Sequence, residues 1–382
     1  MTGALAQTLM ADFADSTGVS GKTTPRRYLW TDAFGVCNFL GLFRQTGDDR
    51  YLKFAVELVN QVHHILGRHR KDDPRHGWIS GLPQDEGEHH PTRGGLRIGK
   101  MLNERALDEP PDSHLEWEQD GQYFHYLTKW MHALYRMGQE TGEHRYLRWA
   151  AELAATAHNS FTYEVSPGGP KRMMWKMSID LKRALVSSMG QHDPLDGLVS
   201  YLELQAVEGL EAGDRKGLAT PIADTTDMCK GARWASDDPL GIGGLLDDAT
   251  RLAQMVFGCG LERHQLLRQI LVEAELSLHV FGRSSLLNRP AAQRLAFREL
   301  GLAIGIYGLQ RIRTLAKRDR ELDSVITRLL FHQPLADQIQ TFWSEPAHRL
   351  SSTWTDHRDI NAVMLATCLV PEGYIELWTP SE

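Results

Sequence analysis

Apolar positions recur with a helical period along most of this chain, and the clearest stretch occurs twice. Residues 46–63 read TGDDRYLKFAVELVNQVH, and residues 141–158 read TGEHRYLRWAAELAATAH. Aligned without gaps, nine of the eighteen positions are identical, and the copies start 95 residues apart. Leu52, Ala55, Val56, Leu58 and Val59 fall at helical spacing, which predicts an amphipathic helix with one buried face. The Thr-Gly that opens each copy ends a preceding helix, because glycine tolerates the left-handed backbone found after a helix C-terminus. Two such copies mark an architecture built from a repeated helical unit.

The segments before the copies have another character. Residues 32–43 (DAFGVCNFLGLF) and 120–137 (DGQYFHYLTKWMHALYRM) are apolar or aromatic on nearly all sides, as expected of helices covered all round. Each copy therefore reads as a hairpin of one inner and one outer helix. Further inner helices are expected over 196–207, 245–257, 294–309 and 359–370, with outer partners over 218–230, 262–280 and 321–342. The N-terminal helix 4–13 supplies the sixth outer partner. Residues 161–165 and 374–378 are the strand candidates. The predicted fold is all-α, an (α/α)6 toroid forming one domain over residues 1–382.

Composition narrows the function classes. A net charge of -7 and a pI near 6.2 argue against nucleic-acid binding, and Arg68 to Lys71 is followed at once by Asp72 and Asp73. The N-terminus lacks the charged start and apolar stretch of a signal peptide, and no segment approaches the roughly 18 apolar residues that span a membrane. Cys37, Cys229, Cys259 and Cys368 are scattered among apolar neighbours, which suits a reducing, cytoplasmic setting better than disulfides or zinc.

Taken together, the repeat, the hairpin count and the aromatic-acidic helix starts resemble the six-hairpin glycosidase-like superfamily. That group includes unsaturated glucuronyl hydrolases, other glycoside hydrolases and, on the same barrel, N-acylglucosamine 2-epimerases. The resemblance spans nearly the whole chain. It implies the fold and a carbohydrate ligand, with no cofactor expected.

A pocket is expected where the inner helices begin. Their openings carry acids beside aromatics: Tyr28 to Asp32, Trp117 to Asp120, His192 to Asp196, Asp247-Asp248, Arg298-Glu299 and Trp354 to Asp359. Capping explains any single aspartate, but not the accompanying Trp, His and Arg. The long connections 67–116 and 161–191 emerge at the same end, where they would wall or cover the mouth. Trp30, Trp78, Trp117, Tyr123 and Trp354 offer faces for sugar rings, while His125, Asp248, Arg298 and Asp356 offer polar contacts. Arg97 and Lys100, in the segment GGLRIGK, suit an anionic group; the segment lacks the spacing of a phosphate loop.

Two chemistries fit. Glycoside hydrolysis of small, in part anionic, oligosaccharides needs an acid and a second carboxylate, for which Asp120 and Asp196 are best placed, with Asp32 in reserve. The Asp247-Asp248 pair resembles the adjacent acids of some mannan-cleaving members of the superfamily, although neighbours on a helix point about 100° apart. Cofactor-free epimerisation would use histidines, with His192, His357 and His125 as candidates. A non-catalytic toroid that binds a ligand is the third reading. His76, His89 and His90 lack metal-ligand spacing, so no metal is expected.

Overall fold

The computed structural model of the chain describes residues 2–317 and 319–377. In chain order its helices begin with α1 (Thr2–Ser16), α2 (Leu29–Thr46), α3 (Asp49–Leu66) and the short α4 (Gln84–His89) and α5 (Leu115–Glu118). Next come α6 (Phe124–Thr141), α7 (His144–Phe161), α8 (Asp193–Ala206), α9 (Ala212–Gly217) and α10 (Ala219–Cys229). These are followed by α11 (Pro239–Gly258), α12 (His264–Phe281), α13 (Ala296–Leu315) and α14 (Arg320–Leu330). The last are α15 (Gln333–Ser344), α16 (Ser352–Thr355), α17 (Arg358–Leu369) and α18 (Glu372–Ile375). Short strands are β1 (Gln122–Tyr123), β2 (Thr162–Glu164), β3 (Lys171–Met173), β4 (Lys176–Met177) and β5 (Ala184–Val186). By contact the chain forms two compact units, residues 1–16, 37–49 and 233–382 in one and residues 17–36 and 50–232 in the other.

The sequence repeat is reproduced as repeated local geometry. Gly47 and Gly142 take left-handed φ values of 68° and 69°. In each copy the threonine hydroxyl donates back to the carbonyl four residues earlier, Leu42 or Met137, at 2.7 Å. The same hydroxyl accepts from the backbone N–H two residues on, at 3.2 Å. The turn is thus written in two residues, and the next helix begins at once.

In the 17–36/50–232 unit, α6 packs against α7 and α8, and α10 lies on α8. β1 sits directly before α6 and pairs antiparallel with β4, which pairs in turn with β5. The connection 161–191 is thereby pinned beside the start of α6. β2 and β3 form a separate antiparallel ladder.

In the other unit, α13 packs against α11 and α17, flanked by α12, α14 and α15, while α1 lies on α17. The α11–α13 approach is close enough to exclude side chains. A Cβ at Gly243 would lie 2.2 Å from the Gly301 carbonyl oxygen, and one at Gly305 would lie 2.6 Å from that of Gly243.

Several boundaries differ from those expected. α8 starts at Asp193 rather than Asp196, because Pro194 is suited to a helix's first turn. α11 starts at Pro239, where Asp238 accepts from the Gly241 N–H as N-cap, so Asp247 and Asp248 lie more than two turns inside it. Asp120 precedes α6, with β1 between them. The helix expected over 321–342 is two, α14 and α15, since Pro334 cannot sit in a helix interior. Of the strand candidates, 161–165 contains β2, whereas Tyr374 lies in α18 and residue 378 lies outside the described residues.

The glycine contact sets a stability test. Gly243→Ala should destabilise by about 3 kcal/mol, because backbone rather than a movable side chain receives the methyl. Gly244→Ala, whose Cβ would meet nothing within 4 Å, should be neutral or slightly stabilising. Thermal melts of both variants check the contrast; equal effects would exclude close packing as the reason.

Candidate active site

The start of α8 carries two aspartates three residues apart, Asp193 and Asp196, which share one helix face. Their surroundings are unequal. Asp196 accepts from the Thr128 hydroxyl at 2.6 Å and from the Lys129 ammonium at 3.0 Å, both supplied by α6. The Asp193 Oδ2 is buried and has no hydrogen-bond partner. Burial, with the charge of Asp196 as the second cause, pushes the Asp193 carboxyl up to about 7. Gly190 makes the space: a Cβ there would lie 2.5 Å from that oxygen.

His125, one residue into α6, approaches from the other side, its Nδ1 lying 3.9 Å from Asp193 Oδ1. Burial pushes this imidazole down to about 4, so it stays neutral near pH 7 and gives Asp193 no counter-charge. Its Nδ1 accepts from the Trp175 indole at 3.3 Å, which places the ring hydrogen on Nε2. Trp175 comes from the connection 161–191 and reaches here through the β1–β4 pairing.

Aromatic rings continue from this point. Tyr123 stacks on His125 with centroids 5.4 Å apart, and Trp117 meets Trp175 edge to face at 5.1 Å. Tyr126 bonds its hydroxyl to that of Tyr28 at 2.7 Å, and the Lys100 ammonium lies 5.7 Å from the Tyr28 ring centre. Half of the Trp117 side (49 %) remains open to solvent. An acid, a paired carboxylate, a neutral imidazole and an aromatic platform thus lie together.

The other candidates are distributed as follows. Asp120 is buried in a network, taking Arg97 at 2.5 Å on one oxygen and the Gly99, Lys100 and Gly121 N–H groups on the other. It holds the GGLRIGK segment, and Arg97 is occupied further by the Ile65 and Arg68 carbonyls. Asp32 accepts from the Tyr28 N–H at 2.9 Å, a capping contact, and Trp30 is buried against Phe34. His192 is the N-cap residue of α8. Trp78 lines a separate cavity.

Among residues of the other unit, Asp248 pairs with Arg251 at 3.6 Å and Arg298 with Asp238 at 2.6 Å. Trp354 is buried against Trp343, and His357, exposed, meets Phe297 edge to face. Asp356 is exposed.

No protein-family model matches the sequence, and no curated protein does. Solved structures do match. An α-1,6-mannanase of family GH76 from Salegentibacter sp. superposes with a TM-score of 0.56 at 11 % identity, over 97 % of this chain and 99 % of its own. That protein is an inactive variant with two consecutive aspartates replaced, in complex with α-1,6-mannotetraose. A GH76 α-mannanase from Bacteroides thetaiotaomicron gives 0.57 at 8 % identity, over 97 % and 96 %. The chain has their fold, an all-α (α/α)6 toroid. A cellobiose 2-epimerase from Spirochaeta thermophila aligns over 96 % of this chain with a TM-score of 0.49 and 12 % identity. Among the described residues no helix is long and apolar enough to cross a membrane.

Asp193 and Trp175 were absent from the sequence-derived set. The signal for Asp193 was the Asp-Pro-x-Asp spacing, which puts both acids in one first turn once Pro194 is taken as an early helical position. Trp175 had no local signal, because a non-local strand pairing delivers it.

The raised Asp193 carboxyl predicts a pH-dependent stability. The unfolded carboxyl releases its proton near 3.8 and the folded one near 7, so the stability associated with this group is whole below the first value and lost as pH rises through the second. Asp193→Asn should therefore melt higher than wild type at about pH 8, with the gain shrinking towards about pH 5. A gain independent of pH would mean that Asp193 titrates normally.

Proposed function

We propose that this protein is a glycoside hydrolase acting on small oligosaccharides, with Asp193 as general acid and Asp196 as the second carboxylate. The observation that carries this reading is the separation of the two carboxyl environments on α8. Hydrolysis needs one carboxyl that still holds a proton near neutrality and another that is charged. Asp193, pushed up to about 7, suits protonation of the departing oxygen. Asp196, bonded to the Lys129 ammonium, suits activation of water or stabilisation of positive charge on the sugar.

The platform of Tyr123, Trp175 and Trp117 supports a sugar as ligand, because ring C–H faces pack on aromatic faces while hydroxyls reach the polar groups. The mannanases of the same fold make α-1,6-mannooligosaccharides the first substrates to screen. Lys100, beside Tyr28, supports adding uronate-containing oligosaccharides. The scattered cysteines support a cytoplasmic setting.

Epimerisation with His125 as base is the weaker reading. A base pushed down to about 4 has little driving force to remove a proton from carbon.

Activity assays test the assignment. Asp193→Asn and Asp196→Asn should each lower kcat by about 10²–10⁴-fold, the range a positioned acid or base contributes. The wild-type rate should fall as pH rises through about 7, the value for Asp193. Asp120→Asn should instead lower stability by about 3–5 kcal/mol, because Arg97 would be left buried without its partner charge. If Asp248→Asn abolishes turnover while Asp193→Asn does not, the chemistry belongs to α11 and this assignment is wrong.

A further inference from the structure

A second concavity lies in the 17–36/50–232 unit, away from the aspartates, between α3, α7 and the segment that carries Trp78. Its volume is about 200 Å³, and Trp78, Trp149, His63, His64, Arg145 and Arg148 are among the residues lining it. At about 30 Å³ per liquid water this is room for roughly seven waters, the size of one six-membered ring with a substituent.

Its walls are aromatic and held in place. The Trp149 indole donates to the His89 carbonyl at 2.9 Å, and its ring meets His63 edge to face at 4.9 Å. His63 is fixed in turn, accepting from the Trp130 indole at 3.1 Å. Trp78 is buried between Gly67 and Gly87, where added Cβ atoms would lie 3.2 and 2.1 Å from its ring, and its Nε1 hydrogen has no partner.

The charges around it are paired to different degrees. Glu88 is taken up by His64 at 2.7 Å and by Arg68 at 3.1 Å. Arg145 pairs with Glu143 at 2.9 Å. Arg148 forms no ion pair among the described residues, and its Nε is buried without a hydrogen bond, although its charge is felt by Asp214. A guanidinium beside buried indoles is a place for an anion with an apolar face.

We propose that this cavity binds a small ring-bearing anion, a carboxylate or phosphate monoester on a single sugar-sized ring, with the anionic group on Arg148 and the ring between Trp78 and Trp149. The site is separate from the aspartates on α8, and its test does not rest on their assignment.

Titration of the full chain with glucose 6-phosphate and glucuronate, against glucose and inorganic phosphate, followed by tryptophan fluorescence and calorimetry, decides it. At least one of the two acidic sugars should bind at least tenfold more tightly than glucose and than inorganic phosphate. Arg148→Gln should weaken that binding at least tenfold, and Asn60→Trp, which fills the cavity from α3, should abolish it. Asp193→Asn should leave it unchanged. Equal binding of glucose, equal binding of inorganic phosphate, no binding of either acidic sugar, or full binding by folded Arg148→Gln would each overturn the proposal.

Discussion

Two carboxylates buried three residues apart on one helix repel each other, and water is not there to weaken the repulsion. The arrangement is tolerable only if the pair is treated unequally. α6 provides the inequality by bonding Thr128 and Lys129 to Asp196, while Asp193 has a neutral imidazole beside it and feels Lys129 more weakly than it feels burial and Asp196. Much of the surrounding structure serves that placement. β1 fixes the entry into α6, β4 brings Trp175 onto His125, and Gly190 leaves room for the Asp193 carboxyl.

The same rule governs the other buried charges of this unit. Lys176 is fully buried, yet its ammonium reaches the Glu116 side chain and the Glu116 and Gln119 carbonyls. Asp120 is saturated in the same manner by Arg97 and three N–H groups. Groups so fully bonded organise the loop 67–116 and have little capacity left for a substrate. Asp193, unlike Asp120, keeps a buried oxygen without a hydrogen bond. Unsatisfied capacity, more than the presence of an acid at a helix start, is what leaves a buried carboxyl able to take a further hydrogen bond.

That distinction explains what was legible in the sequence. The hairpins were, because Thr-Gly turns and helical periodicity are local: residues 46–63 and 141–158 announce α3 and α7 directly. So was the N-terminal helix, seen as α1 on α17. The starts of the buried helices were less so. Asp120, Asp196 and Asp247 look like caps, whereas Asp238-Pro239 and Asp193-Pro194 hold the true starts of α11 and α8. The partners that decide each acid's role were not legible at all. Arg97 lies 23 residues from Asp120, and Lys129 lies 67 residues from Asp196. No periodicity encodes such pairings. Similarly, Trp30, Trp78, Trp117 and Trp354 looked alike, yet only Trp117 joins the platform.

The comparison of the two aspartate pairs follows from helix geometry. Asp247 and Asp248 are adjacent, so they project about 100° apart and cannot both address one ligand atom from one face. Asp248 also has Arg251 one turn along its own helix, at 3.6 Å. Asp193 and Asp196 stand one turn apart on a shared face, and the Lys129 ammonium bonds directly to the second of them while acting on the first only through space. On α8, burial and the charge of Asp196 outweigh the more distant pull of Lys129 and push the Asp193 carboxyl up to about 7, the condition that the proposed general acid requires.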